Sequence, residues 1–584
     1  MNSRRRKFPL PVGLNLVDVS MTSTRPAEPA LHGLTQAAVN AAGRLLGLRP
    51  ATTGYRVNRV EVPMRDGVRL VADHYAPATS SPAGTVLVRG PYGRGFPFSL
   101  VFARPYAARG YHVVVQSVRG TFGSAGVFEP MVNEAADGAD TAAWLVQQPW
   151  FTGSFATIGL SYLGFTQWAL LQDPPPELAA AVVSVGPHDF HAAVWDTGSF
   201  TTDFLGWSDM MSHQEDASRL RAGIRQLLAP RKVAQAAAGV PFGESARALL
   251  GTGAPWFESW VEHRDQDDAF WEPMRCAAAL DRVQVPVLLM GGWQDIFLGQ
   301  TLQQYAHLRR RGADVALTVG PWTHPQMLSK GLATNARETL DWLDTHLAGT
   351  STSRPSRVRV CVTGQGWRNL PDWPPVTSQR ALYLRPGRYL DDTSPTDLPK
   401  LPPATFRYDP ADPTPTTGGP LLSPLGGYRD DSRLALRDDV LTFNSATLLH
   451  DLCVYGNPVV ELAHHADNPH VDLFVRVSEV DAKGRSRNVS DGYRRLSAPA
   501  RTVKIELDPI AHRFRAGSRI RLLIAGSWVP RYTPNPGTDE PMLTARESKP
   551  ATHTVAYGRS RLLLPVGPLD LSANGVANPG GDAG

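Results

Sequence analysis

Short apolar runs alternate with helix-like segments through the first half of the chain. Two strand-like runs flank the turn Arg65-Asp66-Gly67, which predicts a β-hairpin. The later apolar runs are continuous, as expected of strands covered on both faces. They are TVLVRG (85–90), HVVVQ (112–116), AAVVSVG (180–186), VPVLLMGG (285–292) and ADVALTVG (313–320). Helical spacing lies between them at 99–109, 133–147 and 299–311, and after the last of them at 336–348. The alternation predicts a mostly parallel sheet with helices on both faces.

Two segments depart from this alternation. Residues 187–280 contain helical stretches rich in aromatic residues, which predicts a helical insertion over the sheet. After the linker STSRPSR, short strand-like runs separated by turns predict an antiparallel sandwich, and VRVCVTG is the first of them. The expected divisions are a poorly ordered basic leader (1–56) with a short helix near 34–48, the first part of the α/β domain (57–186), a helical cap (187–280), the second part of the α/β domain (281–350), the sandwich (356–570) and a disordered tail (571–584).

A serine lies at one junction between a strand and a helix. The run Ala156-Thr157-Ile158 leads into Gly159-Leu160-Ser161-Tyr162-Leu163-Gly164, and helical spacing comes next. A serine on such a turn has the geometry of a nucleophile elbow, and the helix N-terminus behind it favours a developing oxyanion. The usual pattern is G-x-S-x-G, whereas the second glycine comes one residue late here. Taken alone, this pattern fits either a nucleophile or an ordinary Gly-Ser turn.

An activated serine needs a base, and the base needs a carboxylate that orients it. Asp295 comes after the strand VPVLLMGG and His324 after ADVALTVG, so both are expected at the sheet edge that presents Ser161. The competing pair is His188-Asp189, which comes just after AAVVSVG. These two residues fit either a catalytic role or a structural role. We favour Ser161, Asp295 and His324, because they occur in the order Ser, Asp, His at three separate strand ends.

The oxyanion needs two donors. One is the backbone N–H of Tyr162, the residue after the serine. The other is expected from the loop after TVLVRG, where Tyr92 offers a hydroxyl. From the residues alone, Tyr92 fits an oxyanion donor and a packing residue equally well.

Composition and charge exclude several classes of protein. The chain has 584 residues, 42% hydrophobic and 19% charged, which is typical of a globular protein with two to four domains. The three cysteines lie far apart without a C-x-x-C motif, and His464-His465 lacks metal-ligand spacing. We therefore expect no disulfide framework, no metal and no cofactor.

The basic charge is confined to the N-terminal segment. The net charge is +5, but residues 1–60 carry nine basic and two acidic residues, so the remainder is about −2. We expect no nucleic-acid partner. No apolar run is long enough to span a membrane. Arg5-Arg6-Lys7-Phe8 resembles a twin-arginine signal, but prolines and Asp18 interrupt the apolar stretch after it. We expect a cytoplasmic protein, with export as the alternative.

Several motifs together resemble the CocE/NonD hydrolases, the group that includes bacterial cocaine esterase, α-amino-acid ester hydrolases and X-Pro dipeptidyl-peptidases. The resemblance covers about Val57 to Pro565, and the elbow GLSYLG is part of it. The other motifs, in chain order, are RGPYGRG (89–95), VQSVRGTFGSAG (115–126), DGADTAAWLVQQPW (137–150), GGWQDIF (291–297), GPWTH (320–324), YDPADPTPTTGG (408–419) and NVSDGYRR (488–495). At Ser117 the chain departs from the family, which has Asp there.

The resemblance implies a fold and a mechanism. The fold is an α/β-hydrolase domain with a helical cap and a C-terminal jelly-roll β-sandwich. The triad would be Ser161, Asp295 and His324, and the Tyr92 hydroxyl and Tyr162 N–H would bind the oxyanion. The implied activity is a serine hydrolase that cleaves an ester or amide through an acyl-enzyme, in the first place an acyl esterase. The alternatives are X-Pro dipeptidyl-peptidase-like and α-amino-acid ester hydrolase activity.

The substrate is expected to be a small acyl compound, and oligomeric state is left open. Four aromatic residues are candidates for an acyl pocket or, alternatively, for core packing: Phe165, Trp168, Trp207 and Phe297. A substrate with a free α-amine would need a carboxylate, and Asp196, Asp203 and Asp209 are candidates by location. A rival from another class is a non-catalytic protein whose sandwich binds a carbohydrate or a partner.

Overall fold

The computed structural model describes residues 40–41, 43–215, 219–350, 354–393, 402–498 and 501–571. The expected leader and tail lie largely outside these ranges. The helix expected near 34–48 is described only in part, and residues 43–45 are helical. The end of the expected leader is ordered against the body: Leu48 is buried, and Arg49 forms a salt bridge of 2.9 Å with Asp344.

The first sheet has ten strands within the described residues, in the order β1-β2-β4-β3-β5-β6-β7-β8-β9-β10. The strands from β4 to β9 are parallel, whereas β1, β2 and β10 pair with their neighbours in antiparallel fashion. Their bounds are β1 (Tyr55–Pro63), β2 (Arg69–Pro77), β3 (Gly84–Gly90), β4 (Tyr111–Ser117), β5 (Phe155–Leu160), β6 (Leu178–Ser184), β7 (Val287–Gln294), β8 (Val315–Thr323), β9 (Val358–Val362) and β10 (Gly366–Leu370).

Helices cover both faces of this sheet, as the continuous apolar strands predict. Side chains that alternate along one strand enter different cores: Leu87 packs in one, whereas Val86 and Val88 pack in the other. The helices outside the cap are α1 (Phe98–Phe102), α2 (Arg104–Ala107), α3 (Glu134–Val146), α4 (Tyr162–Leu170), α11 (Leu298–Arg310) and α12 (Leu332–His346).

The cap lies between β6 and β7 and is helical. Its aromatic residues, among them Trp260 and Trp271, belong to the core that also covers one face of the sheet. Its helices are α5 (Phe190–Trp195), α6 (Asp203–His213), α7 (Arg219–Ala237), α8 (Phe242–Leu250), α9 (Phe257–Glu262) and α10 (Ala278–Arg282), with a 3-10 turn at Ala269–Met274.

The segment VRVCVTG differs from the sequence expectation. It forms β9, which pairs in parallel with β8 and extends the first sheet instead of beginning the sandwich. The strand β10 then pairs with β9. This strand therefore belongs to the first sheet and not to the sandwich, because a continuous apolar strand suits either a covered parallel sheet or a sandwich.

The C-terminal part is an all-β sandwich. Its larger sheet contains 11 strands within the described residues, and β13, β17 and β23 form a separate small sheet. The strands are β11 (Ser378–Arg385), β12 (Tyr389–Asp391), β13 (Ala404–Tyr408), β14 (Val440–Ser445), β15 (Leu452–Gly456), β16 (Val459–Leu462), β17 (His464–Ala466), β18 (Val471–Val480), β19 (Ser486–Leu496), β20 (Val503–Glu506), β21 (Ile510–Phe514), β22 (Arg519–Ala525), β23 (Ala551–Val555) and β24 (Arg561–Gly567).

A membrane-spanning helix is not found in the part of the chain that the structure describes.

Candidate active site

Ser161 occupies a strained turn between β5 and α4. Its backbone has φ 60° and ψ −123°, a conformation that non-glycine residues adopt rarely and mostly at functional sites. The turn is fixed on both sides: the Ser161 N–H donates to the Ser184 carbonyl at 2.9 Å, and the Ser161 carbonyl accepts from the Gly164 N–H at 2.8 Å. The serine is therefore presented at the end of a strand and the start of a helix, as the sequence predicts.

The late glycine of the elbow has a packing reason. A Cβ atom at Gly164 would lie 2.6 Å from Gly186 Cα, so helix α4 approaches the backbone beyond β6 more closely than a side chain permits. The intervening Leu163 fills the space beside Gly90 and Gly159, where a Cβ atom would collide with its side chain. The glycine that this helix packing requires is therefore Gly164, one residue later than in the usual G-x-S-x-G pattern.

The strand ends of β7 and β8 bring Asp295 and His324 together. His324 Nδ1 lies 2.7 Å from Asp295 Oδ1, and Asp295 Oδ2 accepts from the Phe297 N–H at 3.0 Å. The Asp295 side chain is fully buried. Because a carboxylate only accepts, the Nδ1–H donates, and Nε2 is left as the acceptor nitrogen. This is the pairing that a general base needs.

The competing pair has structural roles. The backbone N–H groups of His188 and Asp189 donate to Gln300 Oε1, and Asp189 caps α5 by accepting from the Ala192 N–H at 3.0 Å. Burial lowers the pKa of His188 to about 4. These contacts anchor the cap to α11.

Tyr92 lies between the serine and the cap. Its hydroxyl accepts a hydrogen bond from Trp207 Nε1 at 3.1 Å. Burial raises the Tyr92 pKa, and hydrogen bonds with the side chains of Trp207 and Ser161 lower it in part. The Tyr92 hydroxyl therefore lies between Trp207 of the cap and the Ser161 side chain.

The loop that carries Tyr92 is anchored through Arg94. Its Nη1 donates to Ser117 Oγ at 2.5 Å and to the Phe122 carbonyl at 3.0 Å, while Nε lies 3.4 Å from Asp73 Oδ1. The loop therefore has a supporting hydrogen bond at Ser117.

A buried polar network, which the sequence reasoning missed, anchors the ring of Tyr162. Its hydroxyl donates to Glu134 Oε1 and accepts from the Met131 N–H, both at 2.8 Å. Glu134 Oε2 in turn pairs with Arg89 Nη2 at 3.1 Å. Burial raises the pKa of Glu134. Glu134 begins helix α3 and resembles an ordinary acidic first-turn residue, so its spacing along the chain gave no signal.

The four aromatic candidates fall into two groups. Phe165 and Trp168 are fully buried in the core beneath α4. By contrast, the Phe297 ring lies 5.4 Å from the His324 ring, edge to face, and the Trp207 ring stacks against Tyr162 at 6.2 Å. The Phe165 ring also lies 6.4 Å from the Tyr162 ring, so three of the four candidates contact a site residue.

The three acidic candidates also differ. Asp203 Oδ1 accepts from the Leu422 N–H at 2.9 Å, and burial raises its pKa, an effect that the charges of Arg531 and His324 oppose. Asp209 is buried with one oxygen 3.6 Å from His213 Nδ1. Asp196, by contrast, is exposed to solvent.

Groups of three or more side chains able to hold a metal ion are absent from the described residues.

Two family models match most of the chain. Residues 66–326 match the X-Pro dipeptidyl-peptidase (S15 family), and residues 349–562 match the X-Pro dipeptidyl-peptidase C-terminal non-catalytic domain. A cocaine esterase from Rhodococcus sp. (strain MB1 Bresler) is 31% identical over 540 residues, which cover 82% of this chain and 92% of the relative. The chain belongs to the CocE/NonD hydrolase family. This CocE/NonD protein is a serine hydrolase that acts on a small acyl substrate.

Solved structures agree with the fold of this CocE/NonD protein. An α-amino acid ester hydrolase has a TM-score of 0.75 at 24% identity, covering 93% of this chain and 100% of that chain. An aminopeptidase from a marine sediment archaeon, Thaumarchaeota archaeon, has a TM-score of 0.76 at 23% identity, covering 88% and 97%. These structures support the predicted α/β-hydrolase domain and all-β C-terminal domain.

Proposed function

We propose that Ser161, His324 and Asp295 form the catalytic triad of an acyl esterase. Ser161 Oγ attacks the substrate carbonyl, and His324 Nε2 takes its proton and later donates it to the leaving group. Asp295 holds the imidazole with Nδ1–H toward itself and stabilises the positive charge that forms. The resulting acyl-enzyme is then hydrolysed by water, which His324 activates in the same way.

We assign the oxyanion hole to the Tyr162 N–H and the Tyr92 hydroxyl. The N-terminus of α4 and the phenol of Tyr92 converge on Ser161, so both donors are held before the charge develops. Trp207 supports this assignment, because its indole N–H occupies a lone pair of the Tyr92 oxygen and leaves the phenol proton for the oxyanion.

The hydrogen bond between Asp295 and His324 at the edge that presents Ser161 carries this proposal. Ser161→Ala should abolish turnover of p-nitrophenyl acetate and labelling by a fluorophosphonate, because the attacking oxygen is gone. Ser208→Ala is the matched control, since Ser208 also comes after a Gly-x pair but lies buried in α6. Fluorophosphonate labelling that persists in Ser161→Ala would overturn the assignment.

An aromatic acyl group is the substrate class that the surroundings favour. The Phe297 and Trp207 rings adjoin the base and the elbow, and Phe204 lies 6.4 Å from Phe297. Aromatic pairs at such distances add about 0.5–1.5 kcal/mol to apolar burial. We expect kcat/KM to be higher for p-nitrophenyl benzoate than for p-nitrophenyl acetate, which a direct kinetic comparison tests.

A second candidate is cleavage of a substrate with a free α-amine, which Asp203 favours. Asp203 is a partly buried carboxylate in α6 whose Oδ1 accepts from the Leu422 N–H, and in its ionised form it offers a counter-charge for an ammonium group. Hydrolysis of Ala-Pro-p-nitroanilide that is lost in Asp203→Asn would support this candidate. No cleavage of that compound alongside ester turnover would exclude it.

We also propose that the protein is cytoplasmic and contacts no nucleic acid; its N-terminal 39 residues, which carry the arginine pair, lie outside the described ranges. Fractionation of the native host would test this location.

A further inference from the structure

The residue before Asp295 is tied to the C-terminal sandwich. Gln294 ends strand β7, and its amide Nε2 donates to the Val489 carbonyl at 3.2 Å. Its Oε1 accepts from Asn488 Nδ2 at 3.3 Å. Asn488 and Val489 both belong to β19, and the side chains of Gln294 and Asn488 are almost completely buried.

The same asparagine holds the segment that packs against the residue before His324. Asn488 Nδ2 also donates to the Gly427 carbonyl at 3.2 Å, and its Oδ1 accepts from the Arg429 N–H at 2.5 Å. Gly427 has φ +88°, and a Cβ atom there would lie 3.1 Å from Thr323 Cγ2. The Gly427 backbone thus lies directly over Thr323.

Gln294 and Thr323 are themselves partners in the parallel register of β7 and β8. One side chain of the sandwich therefore contacts, directly or through Gly427, the neighbours of both the acid and the base. We propose that Asn488 is a positioning residue that fixes the separation of Asp295 from His324. This inference rests on the proposed triad.

The Asn488 side chain suits this role because it is a buried amide whose nitrogen and oxygen are both hydrogen-bonded. Asn488 uses both its donor and its acceptor, so rotation of the side chain would break several hydrogen bonds at once. The charge-assisted bond between Asp295 and His324 is short, at 2.7 Å, and tolerates little displacement. Misplacing catalytic groups by 1 Å costs about a hundredfold in rate.

The test compares Asn488→Ala, Gln294→Ala and the double variant. We expect either single substitution to lower kcat for p-nitrophenyl acetate by about tenfold to a hundredfold while KM changes little, because the chemical step suffers and the acyl pocket is untouched. The double variant should be no slower than the slower single one, since both changes break the same contact.

Gln294→Ala removes the contact with Asn488 from the side of the α/β domain, and it leaves the hydrogen bonds of Asn488 to Gly427 and Arg429 in place. This variant therefore remains informative if Asn488→Ala folds poorly. Asn457→Ala is the control. Asn457 Nδ2 also joins two sandwich segments, donating to the Leu507 carbonyl at 3.1 Å. It should lower the melting temperature without lowering kcat.

Wild-type kcat in both single variants, or losses that multiply in the double variant, would overturn the role of Asn488. Either result leaves the triad intact if Ser161→Ala is still inactive. Retained turnover in Asp295→Asn would instead overturn the proposed function itself.

Discussion

The Tyr92 hydroxyl lies between a residue of the cap and a residue of the elbow. The Trp207 indole donates to it from the cap, and the Ser161 side chain bonds to it from the elbow. Burial raises the pKa of Tyr92 above its ordinary value. A single residue thus joins the cap to the reacting centre.

Tyr92→Phe should lower kcat by about a hundredfold to a thousandfold, the usual loss when one oxyanion donor is removed. KM should change much less, because the bond forms fully only in the transition state. Steady-state kinetics with p-nitrophenyl acetate measure both values. Tyr305→Phe is the control: it removes another buried hydroxyl, which bonds to Asp372 at 2.7 Å on the far side of α11. If both variants had the same kcat, Tyr92 would be a packing residue.

At the scale of elements, helix α4 is placed by its contact with the backbone after β6. Because neither Gly164 nor Gly186 has a side chain, their backbones pack directly against each other, and the N-terminus of α4 lies close to the edge of the sheet. The close approach sets where the Tyr162 N–H lies relative to Ser161.

Gly164→Ala should destabilise the protein by about 1–3 kcal/mol, the usual cost of overpacking, and should lower kcat because α4 must move. The control is Gly299→Ala, in α11, where the added Cβ atom meets nothing within 4 Å. That change should stabilise the helix by about 0.5–1 kcal/mol. Thermal melting of the two variants should therefore shift in opposite directions. A melting temperature for Gly164→Ala equal to that of the wild type would show that the contact is loose.

The sequence predicted those features that depend on local pattern. The strands of the parallel sheet, the helices between them and the positions of Asp295 and His324 at strand ends can be read from apolar periodicity and chain order. The partner of β9 was not predictable, because pairing is decided by tertiary contact with β8. The contacts of Glu134 with Tyr162 and of Asn488 with Gln294 join residues 28 and 194 positions apart, so no local pattern announces them.

Across the whole molecule, each domain contains a buried histidine pair. His74 Nε2 lies 2.9 Å from His112 Nδ1 in the first sheet, and His464 Nε2 lies 3.1 Å from His553 Nδ1 in the small sheet of the C-terminal part. Burial lowers the pKa of His74 and of His464 to about 4, and that of His553 to about 3. These imidazoles are neutral in the folded protein.

Stability should therefore fall as pH drops from about 6.5 toward about 4. In that range the unfolded chain binds protons that the folded chain does not. Each of these buried histidines therefore lowers the free energy of unfolding by about 1.4 kcal/mol for each pH unit of the drop. Melting temperatures measured across the range provide the test. His553→Gln should flatten the dependence, whereas His450→Gln, at an exposed histidine, should leave it unchanged. An unaltered slope in His553→Gln would contradict the assignment.

The late position of β9 in the chain has a consequence for synthesis on the ribosome. Until residue 362 has emerged, β8 has an unpaired edge, although every residue of the proposed triad has already been made. An exposed strand edge is a site for wrong pairing with other chains. The nascent α/β domain therefore lacks its last two strands, β9 and β10, until residue 370 has been made. A translation pause just before β9 would prolong the exposure of the β8 edge.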